Sequence, residues 1–381
     1  MKRKSEWGKT GRTKPEAMKQ AVQQAAGLEL SRFLLAAVSA LVLSGCYHAK
    51  EQPPLPETAD LVICTDLETA VYEPVVKEFE ERTGLRVEVL AGTAGETRQR
   101  FLDAWKQEEV TAQGQQEERA SNADAEETWD LAFGVSAELL EEYRELWLPY
   151  ESTQLEELDA RYSSKEHAWT GFSVLPLVIM YNTNVVTYRE LPVGWESLLE
   201  PRWQGHVAFA DPEQSDMSAA ALAAALLACP DRPDYLKALV ENLNGMVSDS
   251  DAQVNEGILD GRDSVGVTTE AAAQTLHSSG ADIDYIYPEE GTLLVVDGTA
   301  IRAGNSHPDA AQAFLEFTVS RDTQKILLSS QNRRPVRRDI AMEKGMDPLE
   351  RLPLLEADEE RCLEKKREAL SEWEKLRGGA S

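Results

Sequence analysis

The sequence predicts an α/β fold, and three observations carry that prediction. Leu61, Val62 and Ile63 form a short continuous apolar run, as a strand buried on both faces of a parallel sheet requires. Val71, Val75 and Phe79 then recur every four residues up to Thr83-Gly84, which predicts a helix stopped by the glycine. Beyond it Leu85, Val87 and Val89 alternate with Arg86 and Glu88, so period four has become period two. A β-α-β unit is the economical reading of residues 61–96. Its two strands point their carboxyl ends at loops 64–69 and 91–96, and ligands of open α/β sheets sit in such loops.

Length and charge bound what the rest can be. The 381 residues have room for two lobes, each burying its own core. The chain carries 39 basic against 67 acidic residues, a formal net charge of -28, which argues against nucleic acid as a partner. The first 45 residues hold 8 Lys/Arg and 3 Asp/Glu, so the remainder, with 31 against 64, sits near -33. A solvated acidic surface accounts for most of this. Cys46, Cys64, Cys229 and Cys362 have neither zinc nor thioredoxin-like spacing, and no disulfide framework or cofactor is expected.

Residues 1–32 are basic and polar, Phe33 to Leu43 is apolar, and Leu43-Ser44-Gly45-Cys46 follows. A basic start, an apolar segment too short to span a bilayer and small residues before a break describe an export signal. Leu-Ser-Gly-Cys resembles the bacterial lipobox, in which the cysteine is acylated and becomes the mature N-terminus. The resemblance makes 1–46 a lipoprotein signal peptide with Cys46 lipidated. Residues 47–57, with Pro53, Pro54 and Pro56, read as an extended tether.

Thr93-Ala94-Gly95-Glu96 has the form of a capping box opening a helix that buries Phe101 and Trp105. A capping box needs no ligand to explain it, yet a helix start beside a strand end is also an anion site. No Gly-Lys-Ser/Thr follows, so this is not a phosphate-cradling P-loop. Gln107 to Thr128 is nearly without large apolar residues and reads as a surface insertion. Trp129 to Phe133 resumes as a strand, and Ser136 is placed to cap the helix bearing Leu139, Leu140 and Tyr143.

Gly171 to Asn182 is strongly apolar and reads as a strand crossing into the second lobe. His206 to Phe209 is a short strand before a polar loop, 211–218, and an Ala-rich helix reaching Cys229-Pro230. Ser264 to Val267 is a further strand, with Thr268-Thr269-Glu270 starting the next helix. Ile283, Tyr285 and Tyr287 alternate with Asp282, Asp284 and Ile286 before Pro288 ends the run. Leu293 to Val296 reads as the strand returning to the first lobe. His307 to Val319 and Arg321 to Leu328 are predicted helices capped by Ser306 and Ser320. Beyond Arg338 a charged helical region is expected to pack through Leu363, Leu370, Trp373 and Leu376.

No nucleophile elbow, His-Glu-x-x-His helix or Gly-rich dinucleotide turn is present, and the five histidines are scattered. An enzyme has no support in these motifs. The alternatives to a binding function are an exported enzyme or a structural lipoprotein.

Several stretches resemble the solute-binding lipoproteins of bacterial ABC importers, in the cluster that includes ferric-iron, thiamine and phosphonate binders. They are Val76-Lys77-Glu78-Phe79-Glu80-Glu81-Arg82-Thr83-Gly84, Trp195 through Gly205, Tyr287-Pro288-Glu289-Glu290-Gly291-Thr292, and the run Ala311 to Gln324 followed by Pro335-Val336-Arg337. The resemblance implies a two-lobed type II periplasmic-binding fold with two crossing hinge strands, closing on a small solute and presenting it to a permease and its ATPase. It implies an exported, lipid-anchored protein facing the periplasm or cell exterior. Lobe 1 is expected at 58–172 and 292–340, lobe 2 at 173–291, and a C-terminal helical extension at 341–381.

Similarity also bears on the solute. Ferric binders of this cluster carry a histidine, a glutamate and two adjacent tyrosines at places that fall here near Glu68, Val135, Glu270 and Ala271, so the usual ligands are absent. Asp66, Glu68 and Glu270 remain as oxygen donors to a hard cation. A small anion, such as an organophosphate or phosphonate, is the reading ranked first. Thr93, Ser136, Ser215, Ser218, Thr268 and Thr269 stand at helix starts, where amides and dipoles favour negative charge. With Thr65, Asp66, Gly95 and Glu270 they make up the expected ligand-binding set. Arg98 is the one basic side chain expected in these loops.

Overall fold

The computed structural model describes residues 59–112, 128–357 and 359–378. The expected signal peptide, lipidated Cys46, the tether and most of the insertion lie outside the described residues. From Thr58 onward the chain is one compact unit.

The elements, in chain order, are β1 (Leu61–Thr65), α1 (Thr69–Thr83), β2 (Val87–Ala91), α2 (Ala94–Ala112), β3 (Leu131–Ser136), α3 (Ala137–Glu142) and β4 (Thr170–Asn182). There follow β5 (Val207–Ala208), α4 (Asp216–Ala228), α5 (Tyr235–Leu243), α6 (Asp251–Leu259), β6 (Val265–Thr269), α7 (Glu270–Ser278) and β7 (Ile283–Ile286). The chain ends with β8 (Leu294–Ile301), α8 (Pro308–Thr318), α9 (Arg321–Gln331), β9 (Arg334–Pro335) and α10 (Glu359–Gly378). Gly84 ends α1 at φ 75°, in the left-handed region its missing side chain tolerates. Pro74 lies inside α1 and offers no N–H to the Ala70 carbonyl, which instead accepts from Gln331 Nε2 at 3.2 Å.

The sheet runs β2-β1-β3-β8-β4-β6-β5, with β7 and β9 also pairing β4. β1 lies parallel between β2 and β3, as the opening β-α-β reading requires. β4 makes the architecture. Its first half pairs antiparallel with β8, from Thr170 opposite Thr299 to Pro176 opposite Leu294. Its second half pairs with β6 and β7, Leu177 opposite Thr269 and Ile179 opposite Ile286. All thirteen residues are buried, so no face of this strand meets water. It joins two strand systems, each with its own core.

One core gathers Leu61, Ile63, Phe79, Phe133 and Phe314, with Phe314 edge-on to both other rings at 5.0 and 5.1 Å. The opposite face of the same strands buries Cys64, Phe101, Trp129 and Trp147. The other core collects Leu177, Ile179, Trp195, Phe209, Tyr235 and Val267. Trp373 and Ala369 of α10 insert into it, and Leu376 packs partly against it.

Four local expectations differ. α2 runs on to Ala112, past Gln107, where the insertion was expected to begin. α8 is led by His307 with no side-chain cap, because Pro308 supplies the first helical position and the Ser306 N–H goes to Asp130 Oδ1 at 2.9 Å. β8 continues from Leu294 to Ile301, beyond Val296, because β3 pairs with its far half. Between Ile340 and Ala357 the one helical piece is a three-residue turn, Leu349–Arg351, rather than a continuous helical region.

Candidate functional site

The carboxyl end of β1 delivers Thr65 and Asp66 to the face where other helix starts gather. Thr65 is fully buried and its Oγ1 accepts from the Leu67 N–H at 3.1 Å, turning the chain after the strand. Glu68 leads α1 and is exposed. Thr93 and Glu96 form the expected capping box: Glu96 N donates to Thr93 Oγ1 at 3.2 Å, and Thr93 N donates to Glu96 Oε2 at 2.8 Å.

Residues from the two strand systems meet directly. A Cβ on Gly95 would lie 2.3 Å from Gln214 Oε1, so a side chain there would make the Gln214 amide swing away. Ser136 caps α3, accepting from Leu139 N at 3.3 Å, and its hydroxyl donates to Asp216 Oδ2 at 2.5 Å. Ser215 accepts from Ser218 N at 2.9 Å and donates to Asp251 Oδ1 at 2.6 Å. Ser218 is buried and its Oγ has no hydrogen-bond partner. Thr269 caps α7 through Ala272 N at 3.3 Å, and Thr268 donates to Asn255 Oδ1 at 2.8 Å. At each of these helix starts one backbone N–H is thus bonded by a serine or threonine cap.

Charge at this junction is dominated by aspartates. Burial holds Asp66 well above the ordinary carboxylate range, and Asp216, Asp297 and Asp251 push it further up. Burial also raises Asp251 to about 6, against its bond from Ser215 and with the charges of Glu68 and Asp216 adding to the rise. Asp297 is raised by burial, although it pairs with Arg333 and accepts from Ser173 Oγ at 3.3 Å. Asp216 is the exception. Burial pushes it up, but Lys366, the Ser136 hydroxyl and Arg98 together hold it below the ordinary range. Arg98 lies 3.6 Å from Asp216 and 2.5 Å from Glu142.

Glu270 stands apart from this group. It is buried, receives Arg334 Nε and Nη2 at 2.5 and 2.7 Å, and accepts the Tyr287 hydroxyl. Val135 and Ala271, at the other positions where ferric binders place ligands, are buried apolar residues. Among the described residues no three His, Cys, Asp or Glu side chains converge to hold a metal ion.

Two cavities open beside the junction. One, of about 890 Å³, is lined by Arg98, Glu138, Ser215, Asp216 and Lys366 among others. The second, of about 580 Å³, shares Ser136, Glu138 and Asp216 and adds Trp169, Leu294, Val296 and Leu354. Asp66, Asp251 and Asp297 line neither.

The sequence reading brought Thr65, Asp66, Gly95, Ser136 and Ser215 to the junction but missed Asp216, Asp251, Asp297, Arg333 and Lys366. Asp216 and Asp251 follow the capping serines Ser215 and Ser250 directly, which was a usable signal. Nothing local marks Asp297 or Arg333. Among the described residues no helix is long and apolar enough to cross a membrane.

Comparison with known proteins agrees with this architecture. An uncharacterised protein of Haemophilus influenzae is 25% identical over 316 residues, 78% of this chain and 81% of that one. The Fe(3+)-binding periplasmic protein of Serratia marcescens is 24% identical over 274 residues, 68% of this chain and 74% of that one. Among solved structures, the periplasmic binding protein AfuA from Actinobacillus pleuropneumoniae superposes with TM-score 0.68 at 19% identity, covering 83% of this chain and 98% of its own. The ferric binding protein from Campylobacter jejuni gives 0.66 at 21%, covering 83% and 99%. These solved structures share the two-lobed type II binding fold, and β4 is the strand that pairs in both strand systems here. The model of the bacterial extracellular solute-binding protein family matches residues 97–360, and the chain belongs to that family.

Proposed function

We propose that this protein captures a small, positively charged solute between its lobes and delivers it to the permease and ATPase of an ABC importer. One observation carries the charge of the solute. Asp66, Asp251 and Asp297 sit where the lobes meet; burial leaves all three harder to ionise than an ordinary carboxylate, and the neighbouring Asp216 repels each of them. Among the described residues, Asp297 alone of the three has an ion-pair partner, Arg333. A cation brought between the lobes removes that repulsion, whereas an anion would add to it.

An anion would also need a cation to receive it, and Arg98, Arg333 and Lys366 are engaged by Glu142, Asp297, Glu138 and Asp216. The capped helix starts point the same way. Ferric iron is the cation bound by proteins similar to this chain, according to their names. Organic polyamines share the required charge. Closure is a hinge motion about β4 and β8, biased by a solute touching both lobes. The lobes are 58–172 with 292–340, and 173–291, and Cys46 carries the lipid that holds the exported protein at the membrane.

Calorimetric titration of the full chain with ferric nitrilotriacetate and with spermidine tests this reading. Wild type is expected to bind at least one of them, and Asp66→Asn to weaken that binding at least tenfold. Binding of fructose 6-phosphate or methylphosphonate with neither cation bound would reverse it.

A further inference from the structure

The last helix does something the solute-binding reading does not require. α10 is fixed to the second lobe by Ala369 and Trp373, both buried in its core, with the Trp373 ring 6.0 Å from that of Phe209. Arg377 adds an ion pair to Asp211 at 3.5 Å. One turn before this anchor, Lys366 is buried, its side chain 8% exposed, and it reaches back across the junction. Its Nζ lies 3.2 Å from Asp216 Oδ1 of the second lobe and also pairs with Glu138, which stands on α3 directly after β3 of the first. Asp216 receives Ser136 and Arg98 from the first lobe as well. Most of α10, residues 361–378, lies beyond the family match.

A buried ammonium keeps its charge only while carboxylates surround it. Lys366 has two, one from each lobe, so separating the lobes strips it of Glu138 and at the same time takes Ser136 and Arg98 from Asp216. We propose that α10 is a built-in strap: Lys366, held by the second lobe, clamps Glu138 of the first and so biases the two lobes toward the closed arrangement. Opening the lobes requires the Lys366–Glu138 pair to break. This rests on the two-lobed fold and not on the charge of the solute.

Small-angle scattering on the solute-free full chain tests it, comparing wild type with Lys366→Met and Glu138→Ala. Both variants are expected to show the same increase in radius of gyration over wild type, with far-UV circular dichroism and the hydrogen-exchange protection of residues 369–376 unchanged because α10 stays docked. Equal radii in all three proteins would overturn the strap. So would expansion of Lys366→Met alone, which would place the role of Lys366 inside the second lobe. Should Lys366→Met undock the helix, seen as lost hydrogen-exchange protection of residues 369–376, Glu138→Ala decides the matter, since it leaves the α10 sequence unchanged.

Discussion

Two sets of desolvated carboxylates lie in this molecule, Glu270 fully buried and Asp66 and Asp251 half-buried, and their partners differ. Glu270 is matched by a bidentate arginine and a tyrosine hydroxyl, so its charge is complete inside the fold. Asp66 and Asp251 at the lobe junction have no ion-pair partner among the described residues, and neighbouring carboxylates repel them. In the proposed reading the difference separates structure from function: the satisfied carboxylate holds the fold, and the ones held under repulsion await a cation. Both kinds looked alike in the sequence, where Asp66 and Glu270 stand equally at strand ends.

The contrast breaks most visibly at Arg334. Arg334→Met strands Glu270 in the interior and is expected to destabilise the protein by about 3–5 kcal/mol, read by denaturant unfolding. A loss of solute binding at unchanged stability would instead place Glu270 among the ligands.

Asp251 gives the opposite sign. Its folded value of about 6 lies above the ordinary 3.8, so the folded state holds the proton more tightly than the unfolded chain. No penalty exists below about pH 4. Stability then falls as pH rises toward 6, and above that the full cost, on the order of 3 kcal/mol, is present. Asp251→Asn should therefore raise stability at pH 7 by up to that amount and flatten the profile between pH 4 and 6, while Ser215 keeps its acceptor. A variant less stable than wild type at pH 7 would show that Asp251 is already paired.

The smaller effects sharpen the same division. Thr93→Ala should cost about 1 kcal/mol through the lost cap, with solute affinity unchanged. Ser218→Ala should be neutral or slightly stabilising, since it removes a buried hydroxyl without a partner. Melting temperatures of the two variants measure both.

The fold was legible because periodicity reports it locally. The shift from Val75 and Phe79 to Val87 and Val89 marks α1 and β2, and the apolar run through Leu177 marks the strand that joins the lobes. Helices α5 and α6 escaped notice, although Asp251 opens one of them. The site was legible only in its caps. Ser136, Ser215 and Thr269 follow rules that act over three residues. The charges that decide the chemistry come from pairs such as Asp297 with Arg333 and Asp216 with Lys366, 36 and 150 positions apart, and no local pattern encodes them. The ranking of an anion first rests on those helix starts, which are legible locally, whereas the carboxylates on which the proposed cation reading rests are not.

Thermal unfolding of the full chain at pH 5 and pH 7, with and without spermidine or ferric nitrilotriacetate, tests the central claim most directly. The account predicts that a cation present at a hundred times its dissociation constant stabilises the protein by about 2.7 kcal/mol at pH 7. The stabilisation should shrink at pH 5, where Asp251 is protonated, and vanish in an Asp66→Asn, Asp251→Asn double variant. Stabilisation by fructose 6-phosphate or methylphosphonate alone, or by a cation with no dependence on pH or on these aspartates, would contradict it.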